Sequence, residues 1–101
     1  MVTMTPIDVE GHTFTAVTVR LPKTNFMAVT GENGYVMCGA LDVALLNEKL
    51  ADRRILAGRA VGVRTIDDLL NAPLESVTDA AKEQGVDRGM SVKEALILMN
   101  G

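Results

Sequence analysis

The stretch Gly34-Tyr35-Val36-Met37-Cys38-Gly39-Ala40-Leu41-Asp42-Val43 decides how the chain is read. Its first half alternates as a short buried strand. At Gly39 the apolar period changes from two to that of a helix, with Val43, Leu46 and Leu50 at helical spacing and Leu41, Ala44 and Leu45 widening the stripe. The single cysteine falls at the change-over. The chain before it reads as strands, and most of the chain after it reads as helices.

Upstream, Ile7 and Val9 alternate with Asp8 and Glu10, predicting a first strand over residues 3–10, with Pro6 suiting an edge or a strand start. Gly11-His12 reads as a turn. Thr13 to Leu21 is rich in Thr and Val and carries apolar residues on both faces, which implies a covered second face. Pro22-Lys23-Thr24 breaks that strand. Asn25 to Thr30 forms the next, and Gly31-Glu32-Asn33-Gly34 connects it to Tyr35–Cys38 as a hairpin. Short turns between four strands imply an antiparallel meander.

Downstream, a helix over Leu41–Arg53 leads to a fifth strand predicted over Arg59–Arg64, and a strand–helix–strand order implies a right-handed crossover with parallel pairing. Thr65-Ile66-Asp67-Asp68 has the form of a capping box with aspartate in place of glutamate. Pro73 starts another predicted helix whose apolar face is Leu74, Val77 and Ala81 and whose C-terminal cap is Gly85. Ser91-Val92-Lys93-Glu94 is a full capping box, and Val92, Ala95, Leu96 and Met99 give the final helix its apolar stripe. The expected fold class is α+β: a four-stranded antiparallel meander, a helix, a fifth strand and two or three C-terminal helices packed on the sheet, in one domain over 1–101.

Composition narrows the function classes. The 101 residues are 48% hydrophobic and 23% charged, enough for one core but not two. Only Phe14, Phe26 and Tyr35 are aromatic, so the core must be aliphatic, with methionine filling gaps. A net charge of −3 and an isoelectric point near 5.0, with no basic run longer than Arg53-Arg54, argue against nucleic acid. One cysteine excludes an intrachain disulfide. The first residues lack the charged and apolar regions of a signal peptide, and no apolar run approaches a membrane span. The expectation is a cytoplasmic protein with no membrane and no nucleic-acid partner.

Three motifs resemble a known family: Pro22-Lys23-Thr24-Asn25-Phe26-Met27, then Met37-Cys38-Gly39-Ala40-Leu41-Asp42, then Arg59-Ala60-Val61-Gly62-Val63-Arg64-Thr65-Ile66 followed by Leu69-Leu70. Together they resemble the YunC-like family, small bacterial and archaeal domains of unknown function, over Pro6 to Leu96. The resemblance implies a compact α+β domain and transfers no activity and no functional residues.

Candidate chemistry therefore comes from the residues alone. Cys38, placed before a helix start, is the candidate nucleophile or redox thiol, since a helix N-terminus favours thiolate. The stronger reading is a small buried hydrophobe facing the helix, as free cysteines are most often buried. Asp42 reads as a helix-start carboxylate or as an acid beside Cys38. Gly39 lets the backbone turn and a ligand approach. Gly62-Val63-Arg64-Thr65, with Arg59 assisting, can hold a phosphate or carboxylate, though Asp67 and Asp68 oppose an anion there. Asp8, Glu10 and His12 alternate as metal ligands do, but exposed polar residues on an edge strand explain them as well, and no metal or other cofactor is assigned. The sequence thus supports two classes: a ligand-binding or interaction module, homo-oligomeric (a dimer) through its second apolar face and holding a small anionic ligand, or a small enzyme built on Cys38.

Overall fold

The computed structural model describes residues 1–39, 43–48 and 51–100, with backbone alone at 43, 44 and 51. Four antiparallel strands come first: β1 (Val2–Val9), β2 (His12–Leu21), β3 (Thr24–Thr30) and β4 (Gly34–Met37). The helix α1 (Val43–Glu48) and a 3-10 turn (Ala51–Arg53) carry the chain to β5 (Leu56–Arg59), which pairs parallel to β4. After α2 (Ile66–Asn71), a two-residue strand β6 (Ser76–Val77) pairs antiparallel to β5. Helices α3 (Asp79–Glu83) and α4 (Val92–Asn100) end the chain. The sheet order follows the sequence, β1 to β6. This is the α+β meander with a crossover that the periodicity predicts, extended by one short strand.

Two turns set the meander. Val9 pairs with His12, so the first hairpin turns on Glu10-Gly11, one residue earlier than expected. Both residues have positive φ, 51° and 85°, which is the type I′ geometry that matches strand twist. The second hairpin closes at Leu21 and Thr24, leaving Pro22-Lys23 as the turn. Proline fixes a negative φ and Lys23 follows at +65°, the φ pattern of a type II turn, where glycine is the usual occupant.

The core lies between one sheet face and the helices. Phe14 and Ala16 of β2, Met27 and Val29 of β3 and Val36 of β4 point into it, meeting Leu69 of α2, Ala81 of α3 and Val92, Ala95, Leu96 and Met99 of α4, all buried. Ser91 caps α4 through a bond from Glu94 N–H to its hydroxyl (3.3 Å), as the capping box predicts. Gly85 takes φ +92° after α3, and Val86 N–H returns to Ala81 O (3.1 Å), which closes that helix end. Asn100, at the end of α4, ties the helical layer to the β3–β4 turn: its Oδ1 accepts from Asn33 and Gly34 N–H (2.7 and 2.9 Å), and its Nδ2 donates to Gly34 O and Leu96 O (3.2 and 2.9 Å).

Two expected boundaries move, for packing reasons. The fifth strand is Leu56–Arg59, not Arg59–Arg64. Ala57 and Gly58 look like a terminator in sequence, yet they occupy its middle. A Cβ on Gly58 would lie 2.8 Å from the buried Leu74 side chain, so a larger residue there would have to displace Leu74. Gly62, at φ +74°, instead ends the extension beyond it. The helix predicted from Pro73 begins only after Thr78. Ser76-Val77 is taken by the sheet, and the buried Thr78 hydroxyl donates to Ile55 O (2.6 Å) while accepting from Ala57 N–H (3.2 Å) and Ala81 N–H (3.3 Å). One hydroxyl thus caps α3 and completes the β5 edge. Of the predicted helix Leu41–Arg53, Val43–Glu48 is α-helical and Ala51–Arg53 is a 3-10 turn, and Leu41, Asp42, Lys49 and Leu50 lie outside the described residues.

Candidate functional site

Cys38 follows β4 and is buried, with 7% of its surface exposed. Its hydrogen-bond contacts are both with Met27: Cys38 N–H donates to Met27 O (3.0 Å), and Met27 N–H points at Cys38 Sγ (3.4 Å). The thiol continues the β3–β4 ladder as a weak acceptor. His12 lies far away. Met27 pairs with Thr18 on β2, six residues along that strand from His12, which at about 3.3 Å per residue is about 20 Å. His12 is therefore not a base for Cys38. Asp42 lies outside the described residues. Among the described residues no group of three His, Cys, Asp or Glu side chains is arranged to hold a metal ion, which includes Asp8, Glu10 and His12.

Gly39 is held by its carbonyl. Arg59 Nε and Nη2 both donate to Gly39 O (3.2 and 3.0 Å), and Nη1 reaches both Glu75 carboxylate oxygens (3.1 and 3.0 Å). The Glu75 carboxyl is held below the usual carboxylate range, first by its hydrogen bond with Ser76 and then by Arg59. Arg59 is thereby fully engaged within the chain, and its expected help in binding an anion does not materialise. A Cβ on Gly39 would meet Arg59 Nη2 and Val61 Cγ1 at an ordinary 3.6 Å, so neither space nor a left-handed φ demands glycine there.

Arg64 is different. Its backbone N–H donates to Asp68 Oδ2 (3.2 Å), while Thr65 Oγ1 accepts from Asp68 N–H (3.0 Å), so the hydroxyl half of the predicted capping box forms and the carboxylate turns to Arg64 N–H instead of Thr65 N–H. The Arg64 guanidinium is exposed and makes no ion pair among the described residues. It lines an open cleft of about 500 Å³ with Leu21, Lys23, Thr24, Asn25, Met27 and Val63. Lys23 is also exposed and free of ion pairs among the described residues, and none of the residues lining the cleft is a carboxylate. Arg20, opposite Asn25 in the register, adds a third cation on the same sheet face with no ion pair among the described residues.

The structure thus separates the candidates into two groups joined by Met27, which bonds to Cys38 in the sheet and lines the cleft beside Arg64. The sequence reads Lys23 and Thr24 as a strand break and Asn25 as a strand start, all three within a family motif, and assigns them no role toward a ligand. The signal that pointed to them was a lysine after proline, at the turn position glycine normally takes.

The architecture and this cleft define a small α+β domain of mixed sheet and helical layer, with no catalytic constellation among its described residues. Residues 37–99 match the family described as Domain of unknown function (DUF1805). The chain is 71% identical, over 98% of each chain, to "Uncharacterized protein YunC" of Bacillus subtilis (strain 168). It belongs to this YunC-like family, as the three motifs indicated. The crystal structure of a protein of unknown function from Thermoplasma acidophilum is similar in fold, with a TM-score of 0.88 and 25% identity over 99% of this chain and 94% of that one.

Proposed function

We propose that the chain is a binding module for small anions, with Lys23 and Arg64 as its recognition residues. The observation that carries this reading is the pairing of two cations, neither neutralised by a carboxylate among the described residues, across one cleft with no acidic lining. Elsewhere Arg54 is paired with Glu83 and Arg59 with Glu75, while Arg53, Lys82, Arg88 and Lys93 also lack an ion pair among the described residues but line neither this cleft nor the one beside Arg54. A guanidinium offers a forked donor to phosphate or carboxylate, and an ammonium adds a point charge. Titration of the labelled protein with inorganic phosphate at constant ionic strength tests it. Amide shifts are expected around residues 21–27 and 63–65, and they vanish in Arg64→Ala. Shifts that survive in that variant rule the assignment out.

A second reading, self-association, has its own observation. The sheet face away from the core carries an apolar row, Met4, Val17, Ala28 and Met37, aligned by register across four strands. Val2, Val19 and Phe26 form a second row. Met4 and Val2 are 68% and 62% exposed. A homodimer would bury these rows, which supports the two-faced character of Thr13–Leu21. Sedimentation across a dilution series checks it: a dimer is expected that Val17→Glu splits, and a monomer at every concentration defeats the reading. No helix among the described residues is long and apolar enough to cross a membrane.

A further inference from the structure

The cleft is not uniformly polar. Its rim carries Lys23 and Arg64, while Leu21, Met27 and Val63 form apolar lining. Leu21 is half exposed, an arrangement that leaves a large aliphatic side chain in water beside two cations. Two exposed cations alone hold an anion weakly, because solvent and salt screen the interaction. The apolar lining adds affinity only for a ligand with an apolar body. A volume of about 500 Å³ is within the range that small organic ligands occupy.

From this juxtaposition we infer that the ligand is a small organic oxyanion, a phosphate monoester or carboxylic acid whose charged head bridges Lys23 and Arg64 and whose apolar body rests on Leu21 and Val63, above the buried Met27. The inference rests on the anion-binding reading above and goes beyond it by giving the ligand two ends. It also gives the ligand a structural effect. Lys23 sits on the β2–β3 turn and Arg64 on the loop before α2, and their hydrogen bonds and ion pairs among the described residues do not join these two segments. A bridging head group clamps one to the other.

The test titrates the full chain, at fixed ionic strength, with inorganic phosphate, phenyl phosphate, benzoate and phenol, followed by amide shifts and by hydrogen exchange. Phenyl phosphate, benzoate or both should bind at least tenfold more tightly than inorganic phosphate and shift residues 21–27 and 63–65. Exchange should slow in both segments, and phenol should do nothing. Arg64→Ala and Lys23→Gly, checked as folded by circular dichroism, should each weaken binding at least tenfold; Arg64→Lys should retain part of it. The two aromatic arms separate a phosphate head from a carboxylate head. If inorganic phosphate binds as well as both organic anions, the apolar end is wrong while the anion reading stands. If phenol binds alone, the cationic end is wrong. If none shifts the cleft, both readings fall.

Discussion

Arg59 grips the carbonyl of Gly39 with two nitrogens of its guanidinium, Nε at 3.2 Å and Nη2 at 3.0 Å. The two residues are twenty apart in sequence and meet where β4 ends and β5 ends side by side, Met37 opposite Arg59. The arginine that the sequence offers to an anion at Gly62–Thr65 is instead the brace of the turn at Gly39.

Arg59→Lys should expose that role. An ammonium cannot fork across one carbonyl and a carboxylate together, so about 1–2 kcal/mol of stability is lost, read by urea unfolding. The Glu75 carboxyl should also titrate closer to its ordinary range, though not fully, because its Ser76 contact remains. In the native protein that lowered value contributes stability above the ordinary carboxylate range, and the contribution is lost as pH falls through the folded value. Unchanged stability and an unmoved Glu75 titration would count against the brace.

Lys23 holds φ +65° in a turn that favours glycine. Relief of that conformation should make Lys23→Gly more stable by about 0.5–1 kcal/mol, after the extra chain entropy of glycine is subtracted. The same change should weaken organic-anion binding. Stability and binding moving in opposite directions, by thermal unfolding and titration of one variant, distinguishes a binding residue from a merely structural one. A loss of both would indicate that the lysine is there for the fold.

Cys38 should resist alkylation in the folded protein, with a rate that tracks unfolding across denaturant concentrations. Its burial and its Met27 contact both lead there. Fast stoichiometric labelling of native protein would revive the thiol as a nucleophile.

Asn100→Ala removes the acceptor for Asn33 and Gly34 N–H, and a loss of about 2–3 kcal/mol is expected. Asn100→Asp keeps both acceptors but loses the donors to Gly34 O and Leu96 O. The carboxylate oxygen that replaces Nδ2 then faces two carbonyls at a helix C-terminus with no proton to give them. Asn100→Asp should therefore lose about 1–2 kcal/mol at neutral pH, read by urea unfolding. Stability equal to that of the native protein would refute this placement.

Local pattern alone determined much of this protein. Alternation gave the four-strand meander, because each strand must bury one face. The capping hydroxyls of Thr65 and Ser91 and the glycine at 85 fixed helix ends, because those bonds join residues within a few positions. The resemblance carried by the three quoted motifs reached the family. The features that stayed hidden depended on partners distant in sequence. Gly58 belongs in a strand because Val36 and Val77 pair with it from the two sides, and Thr78 starts a helix late because Ile55 and Ala57 claim its hydroxyl. The candidate site obeyed the same rule. Cys38 and Arg59, prominent in sequence, are consumed by Met27, Gly39 and Glu75, whereas Lys23 and Arg64, forty-one residues apart, share one cleft with no ion pair among the described residues. Which charges remain available to a ligand is decided only when the tertiary fold has chosen partners for the others.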